Sequence, residues 1–146
     1  MHADHRSYLD TSALAKWYLP EPNSELFVEY LQHIGTAVIS SLTCVEMRSL
    51  LARLRRMQKI TDGIELTIFR TFQDDIDSGF LHVDLIDDQR FSEATHLIAH
   101  HEGQPLRTLD ALHLCVARFS GINEIATADH VMANTARAMG LQVAEF

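Results

Sequence analysis

Short β-forming segments alternate with helical patterns along almost the whole chain, and that alternation restricts the fold more than any other feature. The segments Ser7 to Leu9, Ala37 to Ser40, Phe80 to Leu85, Glu124 to Thr127 and Leu141 to Ala144 read as strands. Between them lie helical patterns from Ser12 to Leu19, Ser24 to His33, about Leu42 to Met57, about Thr61 to Asp77, about Asp88 to His101, Thr108 to Phe119 and Asp129 to Met139. The first is stopped by Pro20 and Pro22, the second opens after Asn23 as its expected N-cap, and Gly79 releases the chain after the fourth. The turn Glu102-Gly103-Gln104-Pro105 separates two of the later helices. Short strands separated by helices imply βα crossovers and a parallel sheet covered on both faces. With 146 residues and 47% hydrophobic content, the chain suits one domain over 1–146.

Four acids interrupt this pattern. Asp10 follows the first strand, Asp129 follows the fourth by one residue, Glu46 lies in the second turn of the helix after Ser40, and Asp110 opens the helix after Leu109. Parallel sheets bind ligands beyond the carboxyl ends of their strands, where the connection order reverses. Each acid also has an ordinary reading. Asp10 and Asp129 suit N-caps, which are worth ~1 kcal/mol. Glu46 is harder to absorb, because its row Leu42, Glu46, Leu50, Leu54 is otherwise a stripe expected to face the core. Asp110 shares its face with His113, Leu114 and Ala117. An unpaired buried carboxylate costs several kcal/mol, so a cluster of four points to a hard cation.

The net charge of -8 disfavours a simple basic nucleic-acid binder, yet two bound divalent cations would bring it to -4. Arg48, Arg53, Arg55, Arg56 and Lys59 fall in one short stretch, which reads equally as a binding surface or a solvated helix face. Cys44 and Cys115 sit among apolar residues and read as small buried hydrophobes. No apolar run approaches the ~20 residues of a membrane span, and the N-terminus lacks a signal-peptide core, so a cytoplasmic protein with no membrane partner is expected. His96 and His100, four apart, have a spacing that can bind zinc but lack the Glu of a metalloprotease pattern and read as surface residues.

The segments Tyr8-Leu9-Asp10-Thr11-Ser12-Ala13-Leu14, Ser40-Ser41-Leu42-Thr43-Cys44-Val45-Glu46, Leu106 to Leu114 and Ala126-Thr127-Ala128-Asp129 resemble, in this order, the motifs of PIN-domain ribonucleases, and of VapC toxins of bacterial toxin-antitoxin pairs in particular. The closing segment Ala136 to Val143 is similar to the family's last helix and strand. The resemblance implies a three-layer α/β/α fold with a five-stranded parallel sheet in the order 3-2-1-4-5. It implies that Asp10, Glu46, Asp110 and Asp129 bind Mg²⁺ or Mn²⁺ and hydrolyse a phosphodiester with a metal-activated water. Asp10 and Asp110 are then the most direct ligands, Glu46 a further ligand or base, and Asp129 a more peripheral one. Thr11, Ser12 and Thr127 carry hydroxyls suited to orienting the carboxylates, or to capping. Arg48, Arg55, Lys59 and Arg107 are candidates for contacting RNA. The expected partners are a structured RNA such as a tRNA or rRNA loop, a small VapB-like antitoxin that covers the site, and a second copy in a homodimer. Another metal-dependent phosphoesterase and a non-catalytic binding protein remain as alternatives on the same fold.

Overall fold

The computed structural model describes residues 5–103 and 105–146, so Gln104 and the first four residues lie outside the described part. Among the described residues the elements run β1 (Arg6–Leu9), α1 (Thr11–Tyr18), α2 (Ser24–His33), β2 (Thr36–Ser40), α3 (Ser41–Arg56), α4 (Asp62–Asp77), β3 (Leu81–Asp84), α5 (Asp88–His100), α6 (Thr108–Phe119), β4 (Glu124–Thr127), α7 (His130–Ala138) and β5 (Gln142–Glu145). Every expected element is present, with boundaries shifted by a residue or two. The strands form one parallel sheet in the order β3-β2-β1-β4-β5. The resemblance had implied that order.

The side chains of the sheet sort by strand alternation. Leu9, Ile39 and Ala126 face one side, where Ala13, Leu14, Phe27, Met47 and Phe72 from α1 to α4 cover them. Tyr8, Val38 and Ile125 face the other, against Leu114, Val116 and Ala117 of α6 and Met132 and Ala136 of α7. Burying each large apolar side chain contributes roughly 1.5–3 kcal/mol, and the central strand β1 is buried on both faces from Ser7 onward. No helix among the described residues is long and apolar enough to cross a membrane.

Side chains set several helix starts. Thr61 caps α4 by accepting from the Ile64 amide, and Asp87 caps α5 through the Arg90 amide. Asn23 departs from expectation. It holds the N-cap position of α2 with a left-handed φ of 67° and makes no side-chain cap bond. Ser24 ties that turn instead, accepting from the Glu21 amide and donating to the Leu19 carbonyl.

The stripe through Glu46 also differs from its expected role. The fully buried residues of α3 are Thr43, Met47 and Leu51, one position further round the helix, while Leu42, Glu46, Leu50 and Leu54 are only partly buried. The helix is turned so that its acid row borders an opening rather than the core. Cys44 and Cys115 are free thiols, partly and fully buried. The rings of His96 and His100 stack on the exposed face of α5, and the His100 Nδ1 bonds the His96 carbonyl oxygen.

Candidate active site

The strand order reverses between β1 and β4, which are neighbours although α1 to α6 lie between them in sequence. A cleft of about 400 Å³ opens at that switch point, beyond the strand carboxyl ends. Asp10, Glu46, Asp110 and Asp129 all line it, with Ser49, Leu50 and Arg53 of α3, Arg107, and His113 of α6. The acids arrive on four different elements. Each has partners of its own.

Asp10 is the deepest, 3% exposed, and caps α1 through the Ala13 amide. Its Oδ1 also accepts from Ser12 Oγ at 2.7 Å, and its Oδ2 from Thr127 Oγ1 at 2.6 Å. Those two hydroxyls accept in turn from the Ala128 and Asp129 amides, at 2.9 Å each, which stitches the β4–α7 turn to the end of β1. Burial raises the Asp10 pKa above the usual carboxylate range, and these hydrogen bonds only partly offset it.

Glu46 accepts from Thr11 Oγ1 at 2.7 Å and faces His113 Nε2 at 2.5 Å. Burial alone would raise its pKa; His113 and the Thr11 hydroxyl outweigh burial and hold it below the usual value. His113 is buried at the cleft floor, and its Nδ1 lies 2.6 Å from the Tyr8 hydroxyl, which donates to Ser40 Oγ at 2.9 Å. A polar chain thus runs from the cleft through the sheet face. Burial pushes the Tyr8 phenol far above its ordinary range, so it stays neutral.

Asp110 and Asp129 share one partner. Arg107 donates through Nε to Asp110 Oδ2 at 3.3 Å and through Nη2 to Asp129 Oδ2 at 2.8 Å. The other oxygen of Asp129 accepts from the Val131 and Met132 amides and starts α7. Burial lifts the Asp110 pKa; Arg107 pulls it down and the charge of Asp129 pushes it up.

Sequence reading had grouped the acids and the three hydroxyl residues, and all seven meet in this region. The basic stretch divides differently. Arg48 and Arg55 both pair with Glu65 of α4, at 3.0 and 2.9 Å, and Arg48 also lies over the Phe69 ring. Lys59 lies in a separate groove with Arg55 and Arg56. Arg53 lines the acidic cleft and, among the described residues, makes no ion pair. The signal was available in sequence, since Arg53 stands seven residues, two helical turns, after Glu46.

The donor set suits a hard divalent cation, being carboxylate and hydroxyl oxygen. A guanidinium already bridges two of the carboxylates, so that pair receives a cation in this geometry. As the side chains stand, among the described residues no three carboxylate, imidazole or thiol groups are gathered closely enough to hold an ion together. Asp10 is turned to its hydroxyls, Glu46 to His113, and Asp110 and Asp129 to Arg107.

A doubly wound sheet with an acid-lined cleft at its switch point describes a class, and the PIN domain family matches residues 7–138 of this chain. The chain belongs to that family. It is 30% identical over 140 residues to Ribonuclease VapC46 of Mycobacterium tuberculosis (strain ATCC 25618 / H37Rv), covering 93% of this chain and 94% of that protein. Its fold superposes on FitAcB from Neisseria gonorrhoeae with a TM-score of 0.73 at 18% identity, covering 94% of this chain and 95% of the other. Mycobacterium tuberculosis VapC20, a Sarcin-Ricin loop cleaving toxin, gives a TM-score of 0.71 at 16% identity, covering 92% and 95%.

Proposed function

We propose that the protein is a divalent-cation-dependent endoribonuclease, the toxin of a toxin-antitoxin pair, built as a single PIN domain over 1–146. The observation that carries this reading is the convergence of Asp10, Glu46, Asp110 and Asp129 on one cleft in a chain whose curated relative is a ribonuclease. Mg²⁺ or Mn²⁺ would be held by these four acids, Asp10 and Asp110 most directly, and when bound supplies charge neutralisation at a phosphodiester and a more acidic water. The chain's own residues supply the rest. Ser12 and Thr127 fix both oxygens of Asp10, and Thr11 and His113 fix Glu46, so that neither carboxylate turns away when substrate arrives. Glu46, on the cleft wall with the other three acids, is a further ligand or the base for the attacking water. Arg53, on the cleft wall and without an ion pair among the described residues, is suited to meeting a backbone phosphate.

The substrate in this reading is a structured RNA, a tRNA or rRNA loop, recognised by shape and unstacked bases. A small VapB-like antitoxin covers the acidic cleft with a basic side chain, and two copies pair to build the RNA groove; the likeness to VapC toxins supports both partners. The deciding experiment incubates the protein and its Asp110→Asn variant with total bacterial RNA, with Mn²⁺ or Mg²⁺ and with chelator, and maps new ends. Discrete metal-dependent cuts that vanish in the variant are expected. Full cleavage by the variant, or cutting indifferent to chelator, would overturn the proposal.

A further inference from the structure

Arg107 is the last residue before α6, and its guanidinium spans two carboxylates brought together from the starts of α6 and α7. Its side chain is 74% exposed and makes no other hydrogen bond or ion pair among the described residues. Nothing in the packing of the fold therefore needs this contact. What needs it is electrostatic, because Asp110 and Asp129 meet the same group on the same side and would otherwise face each other uncompensated. A cation bound by both acids would sit where the guanidinium now sits.

We propose that Arg107 is a resident counter-ion of the acid cluster that exchanges with the divalent cation, bridging Asp110 and Asp129 in the metal-free protein and leaving for the cleft rim when an ion binds. This rests on the reading of those acids as metal ligands. Release is easy, since an exposed ion pair is weak and a rotamer change of one long side chain suffices, with no movement of the helix. The exchange gives one residue two uses. Without metal it relieves repulsion between two acids, and with metal it presents a free guanidinium beside the incoming phosphate.

The test compares Mn²⁺ affinity by calorimetry, and thermal midpoints with and without Mn²⁺, for the wild type and the Arg107→Gln, Arg107→Lys and Asp110→Asn variants. Removing a competing cation should tighten Mn²⁺ binding by about 2- to 30-fold in Arg107→Gln, the range expected for losing two exposed ion pairs. The metal-free midpoint should fall in that variant while the Mn²⁺-loaded midpoints converge. Arg107→Lys retains the charge but cannot bridge both acids, so its affinity should fall between the two; if the glutamine variant does not fold, tightening in the lysine variant supports the exchange. Unchanged or weaker Mn²⁺ binding in the Arg107 variants, with binding lost in Asp110→Asn, overturns the exchange and leaves the metal site standing. Absence of Mn²⁺ binding from the wild type and every variant overturns both.

Discussion

His113 Nε2 stands 2.5 Å from Glu46 Oε1, so a carboxylate at the cleft is held by an imidazole that is almost wholly buried. The same ring meets the Tyr8 hydroxyl on its other side, and position 113 therefore ties the cleft to the middle of the sheet. Replacing His113 with Leu keeps the volume roughly but takes one hydrogen-bond partner each from Tyr8 and Glu46, which keep Ser40 and Thr11. A loss of about 1–3 kcal/mol is expected in urea unfolding, the cost of losing hydrogen bonds at buried polar and charged groups. RNA cleavage should drop ~10- to 100-fold, as for other groups that orient a ligand, with the KM for RNA little changed. Cleavage at the wild-type rate would show that Glu46 needs no such support.

Arg53 and its neighbours separate substrate contact from helix packing. Arg53→Ala should weaken RNA binding about equally for all RNA sequences, most at low salt, and lower the slope of log affinity against log salt by about 1. Arg48→Ala and Arg55→Ala, whose guanidinium groups are spent on Glu65, should leave that slope alone. Filter binding from low to moderate salt decides the matter. Equal slopes for Arg53→Ala and the wild type would remove Arg53 from the phosphate path.

The acids make stability depend on pH in opposite senses. Asp10 has a folded pKa raised by burial, so its contribution is fully present below the ordinary value of 3.8 and is lost as the pH rises through the folded value. Asp110 behaves alike. Glu46, held below 4.5, stabilises above that value and stops doing so as the pH falls through its folded pKa. In chelator, Asp10→Asn should therefore melt higher than the wild type near neutral pH, with the gap closing as the pH falls through the raised pKa of Asp10 toward the ordinary value of 3.8. Parallel melting curves across that range would contradict a strained Asp10.

The rotation of α3 makes a quantitative contrast. Met47 is fully buried under the sheet, and Met47→Ala should cost ~2–5 kcal/mol in denaturant unfolding. Leu50 lines the cleft and is partly buried, so Leu50→Ala should cost clearly less. Equal losses would place both residues in the core.

The order of elements was legible because period-2 and period-3.6 patterns alternate cleanly and the helix stops are written in Pro20, Pro22 and Gly79. Glu46 stood out for a related reason, as a carboxylate on a stripe of leucines. The conclusion drawn from that stripe was only half right. A helix bordering a cleft carries apolar residues on two adjacent rows, and periodicity does not tell the row that is buried from the row that is merely sheltered. The pairing of Arg48 and Arg55 with Glu65 was illegible because it joins two helices whose relative rotation is fixed by Phe69 and Phe72 packing, not by spacing along either one. His113 was legible as a neighbour of Asp110 from its place one turn later on the same face; its link to Glu46 and Tyr8 depends on how α3, α6 and β1 meet in space.

Asp129 serves two masters with one carboxyl group. Oδ1 is spent on the first turn of α7, and Oδ2 is turned outward to Arg107. A glutamate there would carry the outward oxygen a methylene farther and forfeit the cap, while a serine or asparagine would start the helix and surrender the charge. One side chain thus sets both where α7 begins and where negative charge meets Arg107, so the helix start and the charge of the cleft rim are fixed together.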